Sequence, residues 1–165
     1  MKNFLLLGFP NSGKSSIFNI LSGKSRKVSN YSGISVDYAI AELSDNKNYS
    51  EEQKIKIIDL PGVYNLIPTT LDEAVTIGTL LKLNENIKDF SKVVIIVDSS
   101  KLEAGISLIL AVKEIINNED ILVIVNKSDL LSYKDINLKK LEEYLGLKVL
   151  LCSTINEEEA KKKNK

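Results

Sequence analysis

The sequence predicts an α/β fold: a mostly parallel six-stranded sheet with one antiparallel edge strand and helices on both faces. Three observations carry this. Short apolar runs such as Phe4–Leu7, Ile55–Leu60, Val93–Val97 and Ile121–Val125 have the length and continuity of strands buried on both faces. Helix-period segments separate most of them, and alternation of strand and helix implies parallel pairing. One connection, from Ser35–Leu43 to Ile55–Leu60, contains the turn-forming run Ser44-Asp-Asn-Lys-Asn48 and no helical pattern, so that pair is expected to be an antiparallel hairpin.

Taken in order, Phe4–Leu7 opens the sheet. Ser15–Leu21 repeats apolar residues at Ile17, Phe18, Ile20 and Leu21 and stops at Gly23, as a helix does. Ser35–Leu43 alternates Val36, Tyr38 and Ile40, the pattern of a half-buried edge strand. After the strand Ile55–Leu60, Thr70-Leu-Asp-Glu73 matches a capping box for a helix running to about Leu83. A helix over Glu103–Ile116 follows the strand Val93–Val97. Beyond Ile121–Val125, Asn137 can cap a helix carrying Leu138, Leu141 and Leu145, closed by Gly146, and Leu147–Leu151 is the last strand.

Composition narrows the function. The chain has 165 residues, enough for one ordinary domain. Its 22 basic and 22 acidic residues balance, which argues against a nucleic-acid surface. It contains no histidine, so neither histidine acid/base chemistry nor His-ligated zinc is available to it. The single cysteine, Cys152, cannot form an internal disulfide and fits a reducing compartment. No apolar run approaches the roughly 20 residues of a membrane-spanning helix, and the apolar start is too short for a signal-peptide core. The tail 156–165, rich in glutamate and lysine, reads as a solvated end. We therefore expect one domain at 1–155, which the motifs below make a GTP-binding domain, and a charged tail at 156–165.

The chemistry lies in segments that follow strands. Gly8-Phe-Pro-Asn-Ser-Gly-Lys-Ser15 has the spacing of a phosphate-binding loop, between a strand and a helix as that loop requires. Backbone amides over Asn11, Ser12, Gly13, Lys14, Ser15 and Ser16 would converge on a phosphate at the positive end of the helix dipole. Lys14 would reach the β- and γ-phosphates and the Ser15 hydroxyl would ligate Mg²⁺. Asp59-Leu-Pro-Gly62 ends another strand. Asp59 can hold Mg²⁺ through a water, and the Gly62 amide can meet a γ-phosphate with no side chain in the way.

Asn126-Lys127-Ser128-Asp129 decides the base. The Asp129 carboxylate can accept two hydrogen bonds from guanine, at N1–H and the exocyclic amine. Adenine offers an acceptor at N1 and would leave the carboxylate unpaired, a cost of about 1–3 kcal/mol or more. Asn126 would brace the loop and the Lys127 stem would lie along the base. Ser153 and Thr154, after the last strand, could present an amide to the guanine carbonyl. Together these segments describe a GTP-binding domain of the Ras-like, P-loop kind, and they disfavour an ATPase.

At these residues the chain resembles the cytosolic G domain of FeoB-type ferrous iron transporters. "GFPNSGKSSIFNILSG" looks like that family's GNPNxGKT(T/S)LFNxLTG, "NYSGISVD" (residues 30–37) resembles its switch I, and "IIDLPGVYNL" matches its DLPGxYSL. "LDEAV" resembles the acidic start of its switch II helix, and "LEEYLGLKVLLCST" its last helix and strand. The resemblance runs from about Phe4 to Thr154. In this chain Phe9 replaces the usual Asn, and Ser15 and Ser35 replace Thr while keeping the hydroxyl.

The resemblance implies a slow GTPase in which Asn11, Lys14, Ser35 and Gly62 do the catalytic work. It implies that Ser35 closes over Mg²⁺ beside Ser15 and Asp59, and that Asn11 helps ligate K⁺ where an arginine finger would otherwise act. It further implies a cytoplasmic location at the membrane face, with a helical regulatory domain and a transmembrane iron channel as partners in a longer protein, and 156–165 as the start of a linker. Two alternatives remain open. One is a soluble GTPase of ribosome assembly or tRNA modification. The other is a nucleotide-sensing module with negligible hydrolysis, favoured by a switch I in which Tyr31-Ser32 replaces Trp-Pro. Val63 follows Gly62 where a water-orienting glutamine would stand, so hydrolysis is expected to be slow.

Overall fold

A computed structural model of the chain describes residues 2–23, 27–30, 37–43, 50, 54–64, 67, 69–74, 76–78, 92–131 and 136–154. The strands are β1 (Lys2–Gly8), β2 (Lys27–Asn30), β3 (Asp37–Glu42), β4 (Ile55–Asp59), β5 (Lys92–Asp98), β6 (Ile121–Asn126) and β7 (Lys148–Leu151). The helices are α1 (Lys14–Ser22), α2 (Leu102–Lys113) and α3 (Leu138–Leu145), and residues 71–74 and 76–78 are also helical. Expectations that fall on Tyr31-Ser32, Ser35, the run 44–48, the end of the helix at about Leu83 and the tail 156–165 lie outside the described residues.

The strands form one sheet in the order β2-β3-β4-β1-β5-β6-β7. Pairings from β4 through β7 are parallel, and β3 runs antiparallel to β4, as the missing crossover helix predicts. The sheet has seven strands rather than six. The extra one, β2, pairs antiparallel with β3 and takes the edge, so the antiparallel strand lies one place inside it. Lys27-Val-Ser-Asn30 is four residues long with one apolar side chain, too little pattern to read as a strand without its partner.

Both faces of the central strands are covered. On β1, Leu5 and Leu7 join one core cluster and Leu6 the other; on β5, Val93, Ile95 and Val97 divide from Val94 and Ile96 in the same way. This is why these strands read as continuous apolar runs rather than alternating ones. Helix α1 contributes Ile17 and Phe18 to one face, while α2 and α3 contribute Leu108, Ile109, Val112, Leu141 and Leu145 to the other. Helix α2 ends at Lys113, one turn before the expected Ile116, which is buried in the loop beyond it. Helix α3 is closed as its residues predict: the Asn137 side chain accepts from the Lys140 amide, and Gly146 takes the left-handed conformation. All five parallel strands deliver their carboxyl ends to the same edge, where ligands of open α/β sheets bind.

Candidate functional site

The loop 8–15 leaves β1 and becomes α1 within a few residues. Asn11 (φ 66°) and Gly13 (φ 88°) both take the left-handed conformation, which turns successive amides toward one side. Helix α1 starts with neither a side-chain cap nor an acidic residue in its first turn, so its leading amides are left for an anion. Gly13 is required twice over. Its φ disfavours any side chain, and a Cβ there would lie 2.0 Å from Asn126 Nδ2. That amide, fully buried, donates to the Ser12 carbonyl at 3.0 Å. The expected brace by Asn126 is therefore a direct contact between the loop after β6 and the loop after β1. Among the described residues, Asn126 Oδ1 and Ser12 Oγ, both buried, find no hydrogen-bond partner.

At the mouth of the same loop, Lys14, Ser15 and Asp59 meet. The Lys14 ammonium donates to Asp59 Oδ1 and to the Leu60 carbonyl, and Ser15 Oγ donates to Asp59 Oδ2 at 3.2 Å. The Lys14 and Asp59 side chains are only about a tenth exposed. One hydroxyl and one carboxylate form a hard-oxygen pair that suits Mg²⁺, an ion that takes its remaining ligands from phosphates and water. Among the described residues no cluster of three acidic, histidine or cysteine side chains offers a self-sufficient metal cage.

Gly62 lies against the phosphate-type loop. A Cβ on it would meet the Pro10 nitrogen and ring at 3.0–3.1 Å, and the next amide, Val63 N–H, donates to the Gly8 carbonyl at 3.2 Å. Val63 itself is fully buried. The Phe9 and Tyr64 rings stack beside this junction, 6.4 Å apart at 26°. Farther on, Thr70 caps the helical residues 71–74 by accepting the Glu73 amide at 3.2 Å, as the capping box predicts. The Glu73 carboxylate makes a different return. It takes the Thr69 amide and hydroxyl at 2.8 and 2.6 Å and the Tyr64 amide at 3.0 Å. The Thr69 hydroxyl and then these amides pull its carboxyl down to about 2, against the upward push of burial.

The loop after β6 holds the remaining groups. Lys127 is left-handed (φ 60°) and its ammonium donates to the Asn11 carbonyl at 2.9 Å and to Asp98 Oδ2 at 2.5 Å. Burial pushes the Asp98 carboxyl up, but hydrogen bonds from Lys127 and Ser100 outweigh that and hold it below the usual carboxylate range. Asp129 stands exposed at the cleft, with Ser153 Oγ donating to its Oδ1 at 2.6 Å. The two loops are stitched by backbone bonds from Ser128 N to Cys152 O and from Cys152 N to Val125 O. Burial raises the Cys152 thiol above its ordinary value.

A cleft of about 610 Å³ joins these parts. Asn11, Gly13, Lys14, Ser15, Ser16, Gly62, Lys127, Asp129 and Thr154 all line it. Asp59, Ser12, Asn126 and Ser153 do not line it: Asp59 bonds Lys14 and Ser15, Asn126 bonds Ser12, and Ser153 bonds Asp129; Ser35 lies outside the described residues. Residue-by-residue reading missed Asp98, the Phe9–Tyr64 stack and the Ser153 hydroxyl on Asp129. A signal for Asp98 existed: it is the one charged residue closing the apolar run Val93–Val97, at the same sheet edge as the other motifs.

The sequence model of the family described as Ferrous iron transport protein B matches residues 2–165. The Fe(2+) transporter FeoB of Leptospira biflexa is 34% identical over 154 residues, 92% of this chain and 21% of the relative. The chain thus spans about a fifth of the length of that curated relative. The crystal structure of the G domain of the T. maritima FeoB iron transporter superposes with a TM-score of 0.78 at 29% identity, covering 93% of this chain and 88% of that one. A GDP-bound variant of S. thermophilus NFeoB superposes with a TM-score of 0.80 at 30% identity, covering 93% of this chain and 56% of that one.

Proposed function

Because the chain belongs to the ferrous iron transport protein B family, we propose that it is a guanine-nucleotide-binding switch that hydrolyses GTP slowly and regulates ferrous iron transport. The observation that carries the nucleotide reading is the contact between two loops far apart in sequence. Asn126 and Lys127 each donate to a carbonyl of the loop 8–15, at 3.0 and 2.9 Å. Phosphate reading and base reading are thereby joined in one cleft, with Asp129 held at its far wall.

In this reading the amides of residues 11–16 receive the β-phosphate. Lys14 moves its ammonium from Asp59 and Leu60 to the β- and γ-phosphate oxygens, which frees Asp59 to act on the metal side together with Ser15. When bound, Mg²⁺ neutralises charge on those oxygens. The Gly62 amide meets the γ-phosphate from the opposite wall. Asn11, exposed at the cleft with its φ of 66°, would offer its amide oxygen to K⁺, and Ser35, outside the described residues, would supply a hydroxyl to Mg²⁺. Loss of the γ-phosphate would release Gly62 and the switch segments. In a longer protein the switch would act at the cytoplasmic face, on a helical domain and an iron channel.

Hydrolysis is expected to be slow because Val63 is fully buried and presents no side chain to an attacking water. The same observation favours a second reading, a sensor that binds nucleotide and hydrolyses it negligibly. Single-turnover phosphate release in K⁺ and in Na⁺ separates them. Release faster in K⁺ supports the switch. Equal rates in the two salts overturn the potassium role, and no release supports the sensor. Asn11→Gly, which keeps φ near 66° without strain and removes only the amide, should abolish the K⁺ effect while leaving GDP binding intact.

A further inference from the structure

We propose that the end of β5, Asp98 with Ser99, positions Lys127 and thereby couples the base-reading loop to the phosphate loop. The proposal rests on the guanine-nucleotide reading above and assigns to that site two positioning residues that make no contact with the ligand themselves. The strand register makes the arrangement: Asp98 on β5 pairs with Asn126 on β6, so the carboxylate stands one residue from Lys127. Asp98 is buried and fully engaged. One oxygen takes the Ser100 amide and hydroxyl at 2.9 and 2.7 Å, and the other takes the Lys127 ammonium at 2.5 Å.

Lys127 is held at both ends by the same short segment. Ser99 Oγ donates to its backbone carbonyl at 2.8 Å, while Asp98 takes its side chain. A non-glycine residue at φ 60° persists only where its surroundings over-determine it. Asn11, whose carbonyl receives the same ammonium at 2.9 Å, is left-handed as well. One cation therefore ties two strained loops, and the Asp98 carboxylate fixes where that cation stands. Without it the ammonium is free to turn to solvent, and the Lys127 stem loses the orientation that would place it along a purine ring.

The test is stopped-flow release of N-methylanthraniloyl-GDP from the wild type, Asp98→Asn, Lys127→Met and the double variant. Asp98→Asn keeps the shape but removes the negative charge that faces the Lys127 ammonium. Its release rate should rise at least about tenfold, the scale of losing a charge-assisted hydrogen bond, with the association rate little changed. In the Lys127→Met background the same substitution should change release by less than about twofold. An equal factor in both backgrounds, or a rate in Asp98→Asn within about twofold of wild type, overturns the proposal. If Asp98→Asn does not fold, Ser99→Ala decides: it should speed release several-fold, and an unchanged rate overturns the proposal. A wild type that fails to bind the GDP analogue refutes the nucleotide reading itself, a result distinct from any of these.

Discussion

Gly13→Ala probes the junction on which the site is built. The substitution does two separable things. It forces a side chain into a backbone at φ 88°, which costs about 1–2 kcal/mol for an L-residue in the left-handed region. It also places a methyl group 2.0 Å from Asn126 Nδ2, a distance that cannot stand. The Asn126 amide must move, losing its 3.0 Å bond to the Ser12 carbonyl and leaving buried polar groups unpaired, about 1–3 kcal/mol. The expected total is about 2–5 kcal/mol. In an Asn126→Ala background the obstruction is gone, and Gly13→Ala should cost only the conformational part, about 1–2 kcal/mol. Urea unfolding followed by far-ultraviolet circular dichroism measures all four corners of this cycle. If Gly13→Ala costs the same in both backgrounds, the steric junction between the two loops does not control stability and the reasoning fails.

Other consequences are as direct. On the proposed reading, in which the Asp129 carboxylate accepts from guanine, Asp129→Asn should weaken GDP by at least about tenfold and shift preference toward xanthosine nucleotides; unchanged preference in competition binding refutes the base-reading role. Phe9→Ala removes the stack on Tyr64 and should destabilise by roughly 0.5–1.5 kcal/mol beyond the lost burial, read as a lowered thermal midpoint. Glu73 has its carboxyl pulled below the ordinary 4.5 to about 2. Its contribution to stability is therefore fully present above pH 4.5 and fades as pH falls toward 2. The stability gap between wild type and Glu73→Gln should be constant above about pH 5.5 and shrink below it; a pH-independent gap in urea titrations contradicts this.

What the sequence shows well is whatever a short segment achieves alone. The loop 8–15 is legible because eight consecutive residues make the cradle. The central strands are legible because burial on both faces leaves an unbroken apolar run. The cap at Thr70 is legible in its near half, since Thr70 accepts the Glu73 amide three residues on. Its far half is not: the Glu73 carboxylate turns to Thr69 and Tyr64, because the chain before the helix folds back within its reach. Strand β2 is missed for a related reason. Four residues with one apolar side chain become a strand only because β3 presents a free edge to them.

By itself, then, the sequence determined the α/β class, the antiparallel hairpin and the positions of three loops whose chemistry is local. Tertiary structure alone decided which of those loops touch. The parallel register between β5 and β6 brings Asp98 beside Asn126 and Lys127, and the parallel order β1-β5-β6 brings Asn126 against Gly13 and Ser12. The physical reason is that a periodic pattern encodes which face of a strand is buried. It does not encode which neighbour the strand chooses or at what offset, and a contact such as Lys127 with Asp98 exists only once both are settled.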